Sequence, residues 1–129
     1  MEKDNYLYKE IWIKASVQQV FACFTEEEAM LTWHGKEVTL DPVPGGIYRV
    51  VFENGDVILG KFKEVLPNEK LVYTARYNDV DSVVTVNFVG ENGGTKVSLK
   101  QEFKPDQDIS TFQYGWDYFL GLLKKRWEQ

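Results

Sequence analysis

Residues 110–128 read STFQYGWDYFLGLLKKRWE, and their spacing decides the fold. Phe112, Trp116, Phe119 or Leu120, Leu123 and Trp127 recur at steps of three and four, which stacks them along one side of a single long helix. Lys124, Lys125 and Arg126 fall in its last turn, where cations offset the negative end of the helix dipole. An apolar stripe of that length needs a surface to cover. Residues 36–103 offer one, because apolar and polar side chains there alternate in runs broken by Gly, Asn and Pro, as in half-buried strands. The expected architecture is one terminal helix laid across a curved sheet, and what the two enclose becomes the functional question.

Working back from that helix, residues 95–103, 82–89, 71–77, 57–65, 47–53 and 38–40 read as strands. Glu91-Asn92-Gly93-Gly94, Asn78-Asp79, Pro67-Asn68, Asn54-Gly55 and the DPVPGG of residues 41–46 supply the turns. At Asn54-Gly55 both residues tolerate the positive φ of a tight hairpin. Residues 6–15 alternate as a further strand. Ser16 then caps a helix, with Gln19 completing a capping box and Val17, Val20, Phe21 and Phe24 sharing a face. Thr25 repeats the cap signal before Glu26, Glu27 and Glu28, opening a second helix through Ala29, Met30 and Trp33 that Gly35 ends. Strand, two short helices, a long antiparallel meander and one long helix make an α+β order.

A chain of 129 residues is expected to form one domain over 1–129 with a single core. Its net charge of −5 argues against nucleic acid or anionic membrane as a partner, since both require clustered Lys and Arg. No apolar run is long enough for membrane insertion. Met1 is followed by EKDNYLYKE, which lacks the apolar core of a secretory signal, and the one cysteine, Cys23, has no partner for a disulfide. Both point to a reducing, cytoplasmic setting. Cys23 sits within an apolar helical pattern, so it is expected to pack rather than react.

Strand alternation assigns the face toward the helix. Tyr48, Val50 and Phe52 share it with Ile58, Gly60 and Phe62, then Leu71, Tyr73, Ala75 and Tyr77, then Val84, Val86 and Phe88, then Val97, Leu99 and Gln101. Gly60 either lets another element approach or marks a bend. Lys61, Lys63, Arg76, Asn87, Lys96 and Lys100 fall on the solvated face. The inner wall is apolar with three polar tips, the hydroxyls of Tyr48 or Tyr73 and the amide of Gln101, which either orient a ligand or satisfy one another. The expected ligand-binding residues are Trp33, Tyr48, Phe52, Phe62, Tyr73, Phe88, Leu99, Gln101, Trp116 and Leu120 around a pocket of roughly 300 Å³ or more.

Catalytic signals are thin. His34, the single histidine, follows Trp33 near the end of the second helix, where it could act as an acid or base at a cavity mouth or bond to helix-terminal carbonyls. Glu26, Glu27 and Glu28 point in different directions around a helix and read as first-turn charges. Asp79 and Asp81 lack further oxygen ligands at calcium-loop spacing. Gly45-Gly46 and Gly93-Gly94 do not precede the Lys-Ser or Lys-Thr of a phosphate loop. No catalytic residue, metal ligand or cofactor is expected.

Several of these residues, in this order, carry a family resemblance. Ser16 with Val20-Phe21 and Phe24-Thr25, Trp33, Pro44-Gly45-Gly46, Gly60, Pro67 with Leu71 and Tyr73, Gly94-Thr95, and Gly115-Trp116 with Leu120 and Leu123 resemble the activator-of-Hsp90-ATPase-like family. That family lies within the START-related SRPBCC superfamily of helix-grip proteins. The resemblance implies a sheet of about six or seven strands gripping the terminal helix around an apolar cavity. It also implies binding of a lipid, sterol, polyketide or other apolar small molecule. Where many members carry a Thr-His pair on the last strand, this chain has Lys100-Gln101, which takes an ionisable group out of the expected cavity. The expected function is non-enzymatic binding of an apolar or amphipathic small molecule, lipid- or polyketide-like. The alternatives are an interaction module with a chaperone partner and a cyclase- or hydrolase-like enzyme.

Overall fold

In the computed structural model, which describes residues 4–128, the turns set the sheet. Asn78 and Asp79, with φ of 50° and 64°, join the strands β5 (Lys70–Tyr77) and β6 (Val80–Glu91). Asn92 and Gly93, with φ of 52° and 77°, join β6 to β7 (Gly94–Phe103). Two successive left-handed residues give the turn whose twist matches that of the strands it connects, and both hairpins are therefore tight. The turn at Asn54-Gly55 differs from expectation. Only Gly55 has a positive φ, of 90°, and Phe52 N–H bonds Asp56 O at 2.9 Å, so the loop contains three residues. It joins β3 (Ile47–Val51) to β4 (Val57–Leu66).

With β1 (Asn5–Ile13) and β2 (Glu37–Leu40), these strands form one antiparallel seven-stranded sheet in the order β1-β7-β6-β5-β4-β3-β2. β1 does not pair with its sequence neighbour. It runs beside β7, from Asn5 opposite Phe103 to Ile13 opposite Thr95. Gly60 marks a close approach: a Cβ there would lie 1.7 Å from the Thr74 carbonyl oxygen of β5. The β4–β5 register also shifts between Phe62 and Glu64, which bends the sheet.

The first helix, α1 (Val17–Thr25), starts as its sequence predicts, with Ser16 and Gln19 in a reciprocal capping box. The second cap differs. Thr25 ends α1, its hydroxyl donating back to Phe21 O at 3.0 Å, so Glu26 occupies the N-cap of α2 (Glu27–Met30) with no side-chain cap bond. α2 is a single turn, and Trp33 lies beyond it in the turn that ends at Gly35, whose φ is +84°. The terminal helix α3 (Ser110–Arg126) buries Trp116, Leu120 and Leu123, half-buries Phe112 and Phe119, and turns Tyr114 outward. Asp117 pairs with Lys9 of β1 at 2.8 Å, and Lys124 donates to Trp12 O at 2.7 Å, so α3 is tied to the edge strand. The expected single domain over 1–129 includes residues 1–3 and 129, which lie outside the described residues.

Candidate functional site: a cavity between sheet and helix

The sheet's inner face and α3 border an open-mouthed cavity of about 630 Å³. β3 contributes Tyr48, β5 contributes Tyr73 and Tyr77, β7 contributes Gln101, and α3 closes the space with Phe112, Trp116 and Phe119. Trp33 and His34 enter from the turn after α2. Leu31, Thr32, Glu53, Asn54 and Tyr118 are both wall residues and exposed, so they mark the mouth.

Six of the expected residues, Trp33, Tyr48, Phe52, Tyr73, Gln101 and Trp116, meet on this wall. Phe62, Phe88, Leu99 and Leu120 are buried but do not reach it. Strand alternation for the first three and the helical stripe for Leu120 turned them inward; periodicity could not say which end of the groove was already full. Phe88 packs edge-on against Phe21 and Phe24, at 5.2 and 5.4 Å between ring centres, so α1 plugs that end. Phe62 likewise packs on Tyr48 and Tyr73. Wall residues absent from the expected set include Phe112, Phe119, Tyr77 and Asp56. The first three carry the helical stripe or strand alternation as their signal, whereas Asp56 gives none.

The three polar tips are committed to partners. Tyr48 and Tyr73 stack at 4.0 Å with their hydroxyls 3.4 Å apart, a long and weak hydrogen bond. Burial pushes the Tyr48 phenol up to about 12 and that of Tyr73 well above its ordinary value, so both keep their protons. Gln101 Oε1 accepts from the indole N–H of Trp116 at 2.7 Å, and its Nε2 donates to Ser82 Oγ at 2.8 Å. Ser82 in turn donates to Ala75 O at 3.0 Å. The indole can only donate, which fixes the amide's orientation. Gln101 therefore positions Trp116.

His34 departs furthest from expectation. Its side chain does not bond helix-terminal carbonyls; it is 4% exposed, and neither ring nitrogen has a hydrogen-bond partner among the described residues. The ring lies near-parallel to Trp33 at 4.9 Å and to Trp116 at 6.0 Å, with Phe119 and Phe52 edge-on at 4.4 and 5.2 Å. Burial lowers its pKa to about 3, so the imidazole is neutral at pH 7. Trp33 is itself held, its indole N–H donating to Cys23 O at 2.9 Å.

At the mouth, Asp56 accepts from the Tyr77 hydroxyl at 2.6 Å and from the Asn54 amide at 3.0 Å. The bond to Asp56, followed by burial, raises the Tyr77 pKa. Glu53 and Asp56 are the charged members of the wall, and no lysine or arginine belongs to it among the described residues. The cavity thus has an aromatic interior, one unpartnered neutral imidazole and an acidic rim.

A seven-stranded antiparallel sheet curved around a long C-terminal helix is the helix-grip fold. Within it, the chain belongs to the family described as activator of Hsp90 ATPase homolog 1-like protein, which matches residues 14–128. Among solved structures, a protein from Chromobacterium violaceum is 24% identical, with 97% of this chain and 98% of that one aligned at a TM-score of 0.83. DynU16, described as a protein in the dynemicin biosynthetic locus, is 20% identical at a TM-score of 0.86. That alignment covers 98% of this chain but 48% of DynU16. The Aha1 dimer from Colwellia psychrerythraea is 18% identical over 96% of each chain, at a TM-score of 0.78. These likenesses concern the fold. No curated protein matches the chain in sequence. No helix among the described residues is long and apolar enough to cross a membrane.

Proposed function

We propose that this chain, acting as one cytoplasmic domain, binds an apolar or amphipathic small molecule, lipid- or polyketide-like, without transforming it. The observation that carries the proposal is the aromatic cavity of about 630 Å³ between sheet and α3. Small-molecule sites typically occupy roughly 300–1,000 Å³ and combine apolar walls with a few polar groups. Affinity comes from apolar area removed from water, at ~25 cal/mol per Å² before the costs of ordering the ligand. Binding is favoured over catalysis because the ionisable side chain deep in the wall, His34, is held neutral and weakly basic. The buried, unpaired thiol of Cys23 fits a reducing compartment.

Titration with the uncharged dye Nile red tests the proposal. The dye's emission should shift to the blue and rise to saturation, and the melting temperature should climb with dye concentration, because a ligand that binds only the folded state stabilises it by mass action. Unchanged emission and melting temperature up to the dye's solubility limit would overturn it.

A further inference from the structure

We propose that the cavity takes amphiphiles whose polar end is positively charged, alkylammonium ions above all, with the apolar body among the aromatic rings and the ammonium at the mouth. The inference rests on the cavity-binding function proposed above and names the ligand's chemical class. Hydration decides where each end lies. A charge moved into an aromatic interior loses its water, so the charged end of an amphiphile stays where the cavity opens to solvent. The exposed wall residues Leu31, Thr32, Glu53, Asn54 and Tyr118 mark that opening. Asp56, half-buried, joins them through its bond from the Asn54 amide.

The mouth carries one sign of charge. Glu53 and Asp56 are the charged members of the wall, and no lysine or arginine belongs to it among the described residues. Neither carboxylate is paired with a cation of the protein, since the ion pairs among the described residues all lie elsewhere. Asp56 is also held in place. Its Oδ2 accepts from the Tyr77 hydroxyl and from the Asn54 amide, which leaves Oδ1 free to accept among the described residues. Tyr77, bonded to Asp56, and Phe52, next to Glu53, bring aromatic rings into the wall there, and an ammonium is attracted to an aromatic face as well as to a carboxylate. An anionic amphiphile such as a fatty acid meets the opposite situation: its carboxylate would come beside two others with no cation to bind it. An uncharged amphiphile shares the apolar burial and lacks the attraction. The net charge of −5 extends the same preference beyond the mouth.

The full chain is tested with three probes on one alkyl tail, decylammonium, 1-decanol and decanoate, each kept below its aggregation limit and followed at pH 7 by calorimetry and by displacement of Nile red. One decylammonium per chain should displace the dye and bind about tenfold tighter than 1-decanol, or ~1.4 kcal/mol, with decanoate weaker than either. Raising the salt to ~1 M, where charges are screened beyond ~3 Å, should remove most of that advantage. In Glu53→Gln combined with Asp56→Asn, whose amide oxygen still accepts from Tyr77 and Asn54, decylammonium and 1-decanol should come within about twofold of each other, with the fold verified by circular dichroism. Should the double variant fail to fold, Glu53→Gln alone, at an exposed position, and the wild-type salt series decide: the variant should lose part of the advantage and the salt series most of it. Equal wild-type affinities for decylammonium and 1-decanol, a preference for decanoate, an advantage undiminished by salt or by removal of the carboxylates, or uptake of decylammonium at several sites without displacement of Nile red each overturns the proposal. Failure of Nile red and 1-decanol to bind at all would overturn the cavity-binding function with it. Binding of both without an advantage for decylammonium would overturn the charge preference alone.

Discussion

An imidazole buried among aromatic rings makes His34 a source of acid sensitivity. Its pKa falls from 6.5 to about 3 on folding, so between those values the unfolded chain binds a proton that the folded chain refuses. The stability linked to this residue is complete above about pH 6.5 and is lost as pH falls through the window toward 3. Within the window the slope approaches ~1.4 kcal/mol per pH unit. His34→Phe should remove that slope, while carboxylate titrations common to both chains cancel in the comparison. Urea titrations of both proteins at several pH values between neutrality and 4 provide the check, and superimposable pH profiles would contradict a buried neutral imidazole. From the sequence, His34 was legible as a residue near a helix end and a candidate for a cavity mouth, and its burial among aromatic rings was not. Its ring neighbour Trp116 is far along the chain, and nothing local in the sequence shows that the backbone turn at Gly35 brings the two together.

At the scale of the element, one polar relay joins α3 to the inner face of the sheet. Trp116 is buried on the sheet, and its N–H ends the chain of bonds running through Gln101 and Ser82 to Ala75 O. Trp116→Ala should therefore cost roughly 3–5 kcal/mol. Gln101→Leu, nearly equal in volume, should cost ~1–3 kcal/mol because it strands a buried indole N–H and deprives Ser82 of a donor. The double variant should lose less than the sum, since both changes break the same bond. Denaturant titration measures all three, and a loss below about 1 kcal/mol for Trp116→Ala would mean that α3 does not cover the sheet. The helical stripe made Trp116 legible as a core residue, and alternation turned Gln101 inward. Their bond was hidden because periodicity assigns faces and leaves hydrogen-bond partners across the core undetermined. The same limit explains Phe88, which sequence turned toward the helix and which α1 covers instead.

For the molecule as a whole, the meander was the most readable part, since each strand from β3 to β7 pairs with the next and each turn carries its own residues. The partnership of β1 with β7 was not readable, because no local signal joins Ile13 to Thr95 or Asn5 to Phe103. That register also governs the order of events as the chain folds. Hairpins close over short loops, whereas docking β1 must await a strand made some eighty residues later and meets a larger loop-closure penalty. The hairpins β5–β6 and β6–β7 are therefore expected in the folding nucleus, with β1 joining after the rate-limiting step. In stopped-flow experiments, Val86→Ala in β6 should slow refolding, while Ile13→Ala in β1 should chiefly speed unfolding. A refolding rate that drops in full proportion to the stability lost in Ile13→Ala would show that β1 docks early. During synthesis the consequence is sharper. The first strand leaves the ribosome long before its partner exists, so the sheet gains that edge only once β7 has been made, and the lock from Lys124 to Trp12 O only once α3 has followed it.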